Sequence, residues 1–371
     1  FYAQIRAELV SWALHESDPD LSLSAREHLD RLVEWYESYL ETTTVDNEPE
    51  HWEEKLVFQD RVTEEEIQLL NKALVGTTFL KQSVMLAFDN PGVEIGQVPP
   101  SGIWIARVFS FLHHLVYRIS VNTTFGKHYD LLLVIRKDLD EASILESTYW
   151  MIALCGRADA SPVVRQFGCY RPELGALSMA LVSDLTVWER VRELAGVSFV
   201  EFLPSTKHWR NLFIRGMSAF ITGWQHSDRR IIPGPVTPAN VVVPAPDYRS
   251  DSKILSLADW RASEGPMSLI RPMLKNFYLQ TISNYPSSRK DLDVTWMFDA
   301  FVEALGVSSG KELLREVQSE LKDEDLPGLG LGISARLERY LVKLEEEYKV
   351  PLPLQCAVER YQEWEPVSYT H

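Results

Sequence analysis

The hydrophobic pattern of the first 100 residues is helical, with apolar side chains three or four positions apart. One run follows Thr63-Glu64-Glu65-Glu66, a capping-box sequence that predicts the start of a helix. Asn90-Pro91-Gly92 ends the pattern, and Pro99-Pro100 marks a boundary. Residues 1–100 are therefore predicted to form a helical N-terminal extension.

From Gly102 onward the pattern changes to short runs rich in Val, Ile, Leu and Tyr, which predict strands. These runs cover residues 103–109, 115–122, 129–136, 163–170 and 177–182, and a helical run, 141–155, lies between the third and the fourth. We predict a mainly antiparallel five-stranded sheet within residues 101–196, with that helix packed on one of its faces.

Helical spacing returns after residue 197 and continues towards the end of the chain. Helices are predicted over residues 207–226, 266–285, 292–305, 310–321, 334–348 and 352–363, and a short helix over 184–194 precedes this region. Residues 197–371 are therefore a predicted helical domain, and the predicted fold class is α+β.

A proline-rich loop interrupts the helical region at Ile231–Val243, and it contains Pro233, Pro235 and Asn240. A second β-branched run follows and ends at Asp259. The side chains of Asn240 and Asp259 carry amide and carboxylate oxygens, which are the hard ligands that Mg²⁺ prefers. In the purely structural interpretation, Asn240 only caps a turn after Pro238 and Asp259 only caps the helix or loop that follows a strand.

The order of loop, Asn, strand, turn, strand and Asp resembles the catalytic loop of aminoglycoside and choline kinase-like phosphotransferases. Their pattern is roughly H-G-D-x-x-x-x-N, followed later by Asp and an aromatic residue. The resemblance covers about residues 100–305 and implies a kinase-like fold with an antiparallel sheet lobe and a helical lobe. In this resemblance Asn240 and Asp259 stand at the metal-ligand positions, which makes them the candidate metal ligands. Pro233 stands at the His position and Pro235 at the position of the catalytic Asp. Proline neither accepts a proton nor binds metal, so the resemblance is to a degenerate, pseudokinase-like module.

The resemblance also implies a cation at the end of the third strand and a glutamate on the following helix. Arg136, Lys137 and Glu146 are the residues that match, and they are the candidate nucleotide-binding residues, with ATP and Mg²⁺ as candidate cofactors. A solvated strand end with local charge pairs is the alternative. The connection at residues 110–114 has no glycine to let backbone amides approach phosphates, and its adjacent histidines lack an evident third metal ligand.

Composition narrows the class of partner. The net charge of −16 argues against binding to nucleic acid, whose phosphates require a basic surface. Cys155, Cys169 and Cys356 are too few and too dispersed for a disulfide framework or a zinc site, which favours a reduced, cytoplasmic setting. The sequence has no run of 18 apolar residues, so no membrane partner is expected. The first residue is Phe1 rather than Met, which suggests a piece of a longer protein.

Three functions fit these observations. The first is a pseudokinase-like module that binds nucleotide or protein without transferring phosphate, the partner being another protein or other domains of a longer chain. The second is an ATP-dependent phosphotransferase or nucleotidyltransferase with a non-standard site, since such transfer depends mainly on positioning and electrostatics. The third is a regulatory or substrate-holding domain of a larger enzyme.

Overall fold

The computed structural model describes an α+β arrangement of strands and helices. The described residues are 56–58, 62–74, 79, 103–122, 128–140, 142–143, 164, 166–182, 184–196, 206–244, 252–255, 260–318, 320–323 and 332–349. Residues 1–55 of the predicted helical extension lie outside these ranges, as do the predicted helix 352–363 and most of the predicted helix 141–155.

The largest element is a six-stranded sheet with the strand order β1-β2-β3-β4-β6-β5. Its strands are β1 (Leu56–Phe58), β2 (Ile103–Phe111), β3 (His114–Asn122), β4 (His128–Arg136), β5 (Gln166–Arg171) and β6 (Gly175–Leu181). The last five pair antiparallel, which confirms the predicted five-stranded sheet. The short strand β1 pairs parallel with β2 and was not predicted, because three residues carry too little pattern to detect.

The turn between β2 and β3 is tighter than the five-residue connection predicted at residues 110–114. Phe111 pairs with His114, so only Leu112 and His113 form the turn. Leu112 has a φ of 51°, in the left-handed region that is costly for a branched side chain. The side chains of Phe111 and Leu112 are 52% and 78% exposed, so the turn presents two large apolar side chains to solvent.

Alternating side chains give the sheet two apolar faces, as the period of a strand requires. The outer face packs under helix α1 (Glu64–Leu74) and includes Ile105, Tyr117 and Leu133. The inner face turns towards the helices that follow and includes Val116 and Val134. Because both faces of the sheet are covered, β4 contains five consecutive apolar residues, Leu131–Ile135, instead of alternating apolar and polar residues.

Helix α1 begins as the capping box predicts. The amide of Glu66 donates to Thr63 Oγ1, and the amide of Thr63 donates to Glu66 Oε2. Glu66 also accepts hydrogen bonds from Tyr117 Oη and Arg107 Nη1 on the sheet. Burial raises the pKa of Glu66, but these hydrogen bonds and the charge of Arg107 outweigh it and leave the pKa below its ordinary value. The cap therefore also fastens the helix to the sheet.

The rest of the described chain is mainly helical and follows the predicted order. Its helices are α2 (Val187–Gly196), α3 (Thr206–His226), α4 (Met267–Pro272), a π-helical continuation (Met273–Leu279), α5 (Gln280–Asn284), α6 (Thr295–Leu305), α7 (Val307–Gln318) and α8 (Ile333–Lys349). Their core centres on Phe213, which contacts the rings of Trp209, Phe277, Tyr278 and Trp296. None of the helices in these ranges combines the length and apolar character that a bilayer span requires.

Short strands join the loop region to the helices. They are β7 (Leu185–Thr186), β8 (Ile231–Ile232), β9 (Val241–Val243), β10 (Lys253–Ile254) and β11 (Arg261–Ala262). One small sheet has the order β10-β9-β7, and β11 pairs antiparallel with β8. These ladders fix both ends of the proline-rich loop, since β8 precedes it and β9 follows it.

Candidate functional site

The loop between β8 and β9 is buried along its whole length. Every residue from Ile231 to Val243 is buried, including the three prolines and Asn240. The peptide bond between Gly234 and Pro235 is cis. Loops usually run over the surface because their backbone polar groups need partners, so burial of this one requires dedicated hydrogen bonds.

Asn240 supplies two of those hydrogen bonds. Its Nδ2 atom donates to the carbonyl oxygens of Gly234 and Pro235, both at 3.0 Å. The backbone amide of Asn240 donates to the carbonyl of Thr237, which closes a 3₁₀ turn over Pro238–Asn240. Its Oδ1 atom is buried and has no hydrogen-bond partner among the described residues. The amide nitrogen thus acts as a turn cap, the role that the purely structural interpretation gives to Asn240.

Neighbouring helices hold the loop from both sides. Asn276, in the π-helical segment, donates from Nδ2 to the carbonyl of Val236 at 2.8 Å. On α3, a β-carbon at Gly223 would lie 3.1 Å from Pro233 Cγ, so glycine there lets the helix approach the loop closely. Pro235 therefore lies in a packed segment rather than at an open surface.

Two of the predicted site residues, Asp259 and Glu146, lie outside the described residues. The pairing of Asn240 with Asp259, and of a cation with Glu146, therefore remain predictions. Within the described ranges no group of three or more His, Cys, Asp or Glu side chains lies close enough together to hold a metal ion.

Arg136 ends β4, and its guanidinium is paired within its own turn. Nε and Nη2 donate to Oδ1 and Oδ2 of Asp138 at 3.0 and 2.9 Å, a bidentate pair. The hydrogen bond from Arg136 is the main reason why the pKa of Asp138 lies below its ordinary value. Lys137 is exposed, and its amide donates to the carbonyl of His113. Arg136 thus forms a local charge pair at the end of the strand, although its side chain is buried rather than solvated.

His114 pairs with Arg136 across β3 and β4 and faces the same side of the sheet. Burial lowers its pKa to about 3, with the charge of Arg136 adding to the effect, so the imidazole is neutral. Its ring lies 5.2 Å from that of Phe109, and its Nε2 atom has no partner among the described residues. The sequence placed this histidine in an open connection, whereas the tighter turn places it in the strand.

The inner face of the sheet packs directly on the loop region and α2. Trp188 lies in one buried cluster with Val108, Phe109, Val116, Leu132, Val134, Ala180, Val182, Ala239, Val242 and Leu255. Its ring makes an edge contact with Phe109 at 5.4 Å and a tilted contact with Tyr285 at 5.9 Å. The sheet, the loop region and helix α2 therefore share one apolar core around Trp188.

Charged side chains also connect the sheet to helix α2. Arg118 on β3 donates from Nε and Nη2 to the two carboxylate oxygens of Glu189 at 2.7 and 2.9 Å, and both side chains are nearly buried. Burial lowers the pKa of Arg118, but the bonds and charges of Glu189, Asp130 and Asp184 raise it more. Arg192 donates to backbone carbonyls of β2. Sequence reasoning missed these residues, although Thr186-Val187-Trp188-Glu189 is a capping box.

The described loop contains no side chain that could act as a general base. Asp228, the nearest acid before the loop, is exposed and lies in a left-handed turn with Arg229.

A comparison with known proteins found no relative. No protein-family model matches the chain, and no curated protein matches it at a significant level.

Proposed function

We propose that this chain is a degenerate kinase-like module that acts by binding rather than by phosphoryl transfer. The order of its elements supports the proposal. An antiparallel sheet precedes a linker and a helical region, and the Asn240 loop lies between two short strands at their junction. This is the order that the resemblance to kinase-like phosphotransferases implies.

The observation that carries the proposal is the burial of Pro235 within the closed loop. A hydroxyl substrate needs a base within hydrogen-bond reach, and a positioned base typically contributes about 10²–10⁴-fold to the rate. Proline offers no base, and the hydrogen bonds from Asn240 and Asn276 hold the loop in its packed position. The described loop contains no acidic side chain that could take the place of this base.

The β2–β3 turn supports protein as the class of partner. Leu112 is more than three-quarters exposed in a left-handed conformation, and Phe111 beside it is half exposed. Exposed large apolar side chains of this kind are typical of protein contacts, whereas a phosphate-binding turn needs small residues and accessible backbone amides. In our proposal this turn contacts a protein partner instead of nucleotide phosphates.

An ATP-dependent transferase with a non-standard site is the second candidate. The observation that favours it is the buried Oδ1 atom of Asn240, which lacks a partner among the described residues. An amide oxygen suits Mg²⁺, and Asp259 is predicted to supply a second ligand. The two candidates differ in one measurable property, the transfer of phosphate.

Transfer of radiolabelled γ-phosphate from ATP with Mg²⁺ tests the proposal, with Asp259→Ala as the matched control. We expect wild type and Asp259→Ala to give the same background signal. Pro235→Asp should not create an active enzyme, because the position is buried and the 110–114 turn still lacks glycine. Turnover by wild type that disappears in Asp259→Ala would reject the proposal in favour of the transferase.

A further inference from the structure

We propose that the tip of the β2–β3 hairpin, Phe111 and Leu112, inserts into an apolar pocket with an acidic rim on another protein. This inference rests on the proposed function, in which the turn contacts a protein, and it adds the chemistry of the surface that the turn contacts. The turn is tight, because Phe111 pairs with His114, and the two side chains of the tip are 52% and 78% exposed. The hairpin therefore ends in two adjacent apolar side chains that face solvent.

The backbone of Leu112 distinguishes this tip from an ordinary exposed apolar residue. With a φ of 51°, Leu112 takes the first position of a two-residue turn, which glycine favours, whereas His113 does not have a positive φ. The left-handed conformation is costly for a branched side chain, and strained residues cluster where a protein contacts its ligands. Val342 is also 52% exposed, but it lies in helix α8 and carries no such strain. The conformation of Leu112 thus points to a contact that needs a leucine at this position.

Two cations that lack a carboxylate partner among the described residues flank the tip. Lys137 is exposed, and its amide donates to the carbonyl of His113, which places it beside the turn. On the other side, Arg192 donates to two backbone carbonyls of β2, about 10 Å along the strand from the tip. The carboxylate of Asp138 is neutralised by its bidentate pair with Arg136. The surroundings of the tip are therefore positively charged.

A protein with an acidic rim around its pocket fits this charge better than other occupants do. A membrane with anionic lipids repels a chain with a net charge of −16, and two apolar side chains anchor only weakly in a bilayer. The tip of a second copy carries the same positive charge and is repelled. Glu173, an exposed acid, lies on the β5–β6 turn, which β4 separates from the hairpin. Apolar anchors in a pocket with complementary charge at its rim are a common arrangement in protein interfaces.

Two cyclodextrins serve as probes of defined chemistry. β-Cyclodextrin has a neutral ring around an apolar cavity that takes up single apolar side chains, and carboxymethyl-β-cyclodextrin adds carboxylates to the rim. Isothermal titration calorimetry measures their binding to wild type, Leu112→Asn, Lys137→Gln and the matched control Val342→Asn. Because the whole chain is acidic, an exposed apolar residue elsewhere should prefer the neutral ring.

We expect wild type to bind the carboxymethyl ring about threefold more tightly than the neutral ring, and Lys137→Gln to bind both equally. Leu112→Asn should weaken binding of the carboxymethyl ring roughly tenfold, whereas Val342→Asn should leave it unchanged. Asparagine tolerates the left-handed conformation, so Leu112→Asn should also raise the melting temperature, Tm, by roughly 2 °C. Lower affinity combined with higher stability is expected when a strained residue is kept for a contact.

Preference of wild type for the neutral ring, undiminished binding by Leu112→Asn, or a lower Tm of that variant would overturn the inference. Binding to vesicles of phosphatidylcholine and phosphatidylserine that Leu112→Asn abolishes would also overturn it, because the occupant would then be a membrane. A dimer in sedimentation equilibrium that the same substitution dissociates would identify a second copy instead. Any of these results without γ-phosphate transfer rejects this inference alone, whereas transfer that depends on Asp259 rejects the proposed function.

Discussion

At the scale of single residues, the junction between sheet and helices holds buried polar atoms that lack partners among the described residues. His114 Nε2 and Asn240 Oδ1 are two of them. Such atoms are costly because burial removes their hydrogen bonds to water. Asn240 offsets the cost with two good hydrogen bonds from its nitrogen, whereas His114 avoids carrying a charge.

The neutral imidazole of His114 predicts a particular loss of stability in acid. Its pKa is about 3 in the folded protein and near 6.5 when unfolded, so between these values only the unfolded state binds the proton. Stability is therefore complete above pH 6.5 and falls as the pH drops towards 3. From pH 6.5 to pH 5 the loss from this one group is about 2 kcal/mol.

His114→Gln should remove that part of the pH dependence. The measurement is the free energy of unfolding in urea at pH 7 and pH 5, compared between wild type and variant. His113→Gln, at the exposed neighbouring position, is the control for the substitution itself. If wild type and His114→Gln lose the same free energy between the two pH values, the imidazole is not buried as described.

At the scale of secondary-structure elements, the sequence predicted the helices and strands whose apolar residues recur at a regular spacing within the element itself. Helix α3 was predicted as 207–226 and spans Thr206–His226, since its apolar face recurs over many turns. The strand β1 was missed because it depends on pairing with β2 rather than on its own three residues. The π-helical segment that carries Asn276 was also missed, because sequence periodicity does not distinguish it from the α-helix around it.

The candidate site was less predictable than the elements. Asn240 was identified from its place in the loop, yet the direction of its Nδ2 atom towards the loop carbonyls depends on the folded backbone. Arg136 was identified as a cation at a strand end, with a nucleotide site and local charge pairs as the two alternatives, but its pairing with Asp138 was not predicted. The contact between Arg118 and Glu189 joins residues 71 positions apart, and no local pattern predicts such a pair.

Glu189→Gln tests how strongly α2 is fastened to the sheet. Glutamine keeps the capacity to cap Thr186 but removes the charge that pairs with Arg118. Leaving a nearly buried guanidinium without its carboxylate should cost roughly 2–4 kcal/mol in the free energy of unfolding, measured by urea denaturation.

Glu193→Gln on the same helix is the matched control. Glu193 is 53% exposed and pairs with Arg190 at the surface, so its loss should cost no more than about 0.5 kcal/mol. Equal effects of the two substitutions would show that the pair of Arg118 and Glu189 does not hold the helix to the sheet.

At the scale of the whole molecule, sheet and helices are joined by one apolar cluster and a set of charged contacts. The cluster that contains Trp188 draws on β2, β3, β4, β6, α2 and the loop region. Such a junction excludes water and favours a fixed arrangement of its parts. The loop that contains Pro235, which we propose to be a degenerate catalytic loop, is therefore part of a packed structural core.

Hydrogen exchange of the backbone amides in residues 231–243, measured by mass spectrometry with and without ATP and Mg²⁺, tests this central claim most directly. Buried and hydrogen-bonded amides exchange only when the structure opens. We expect slow exchange of the loop amides, at the level of the buried helix α3, and no change on adding ATP and Mg²⁺. Rapid exchange of the loop, or protection that appears only with nucleotide, would contradict it.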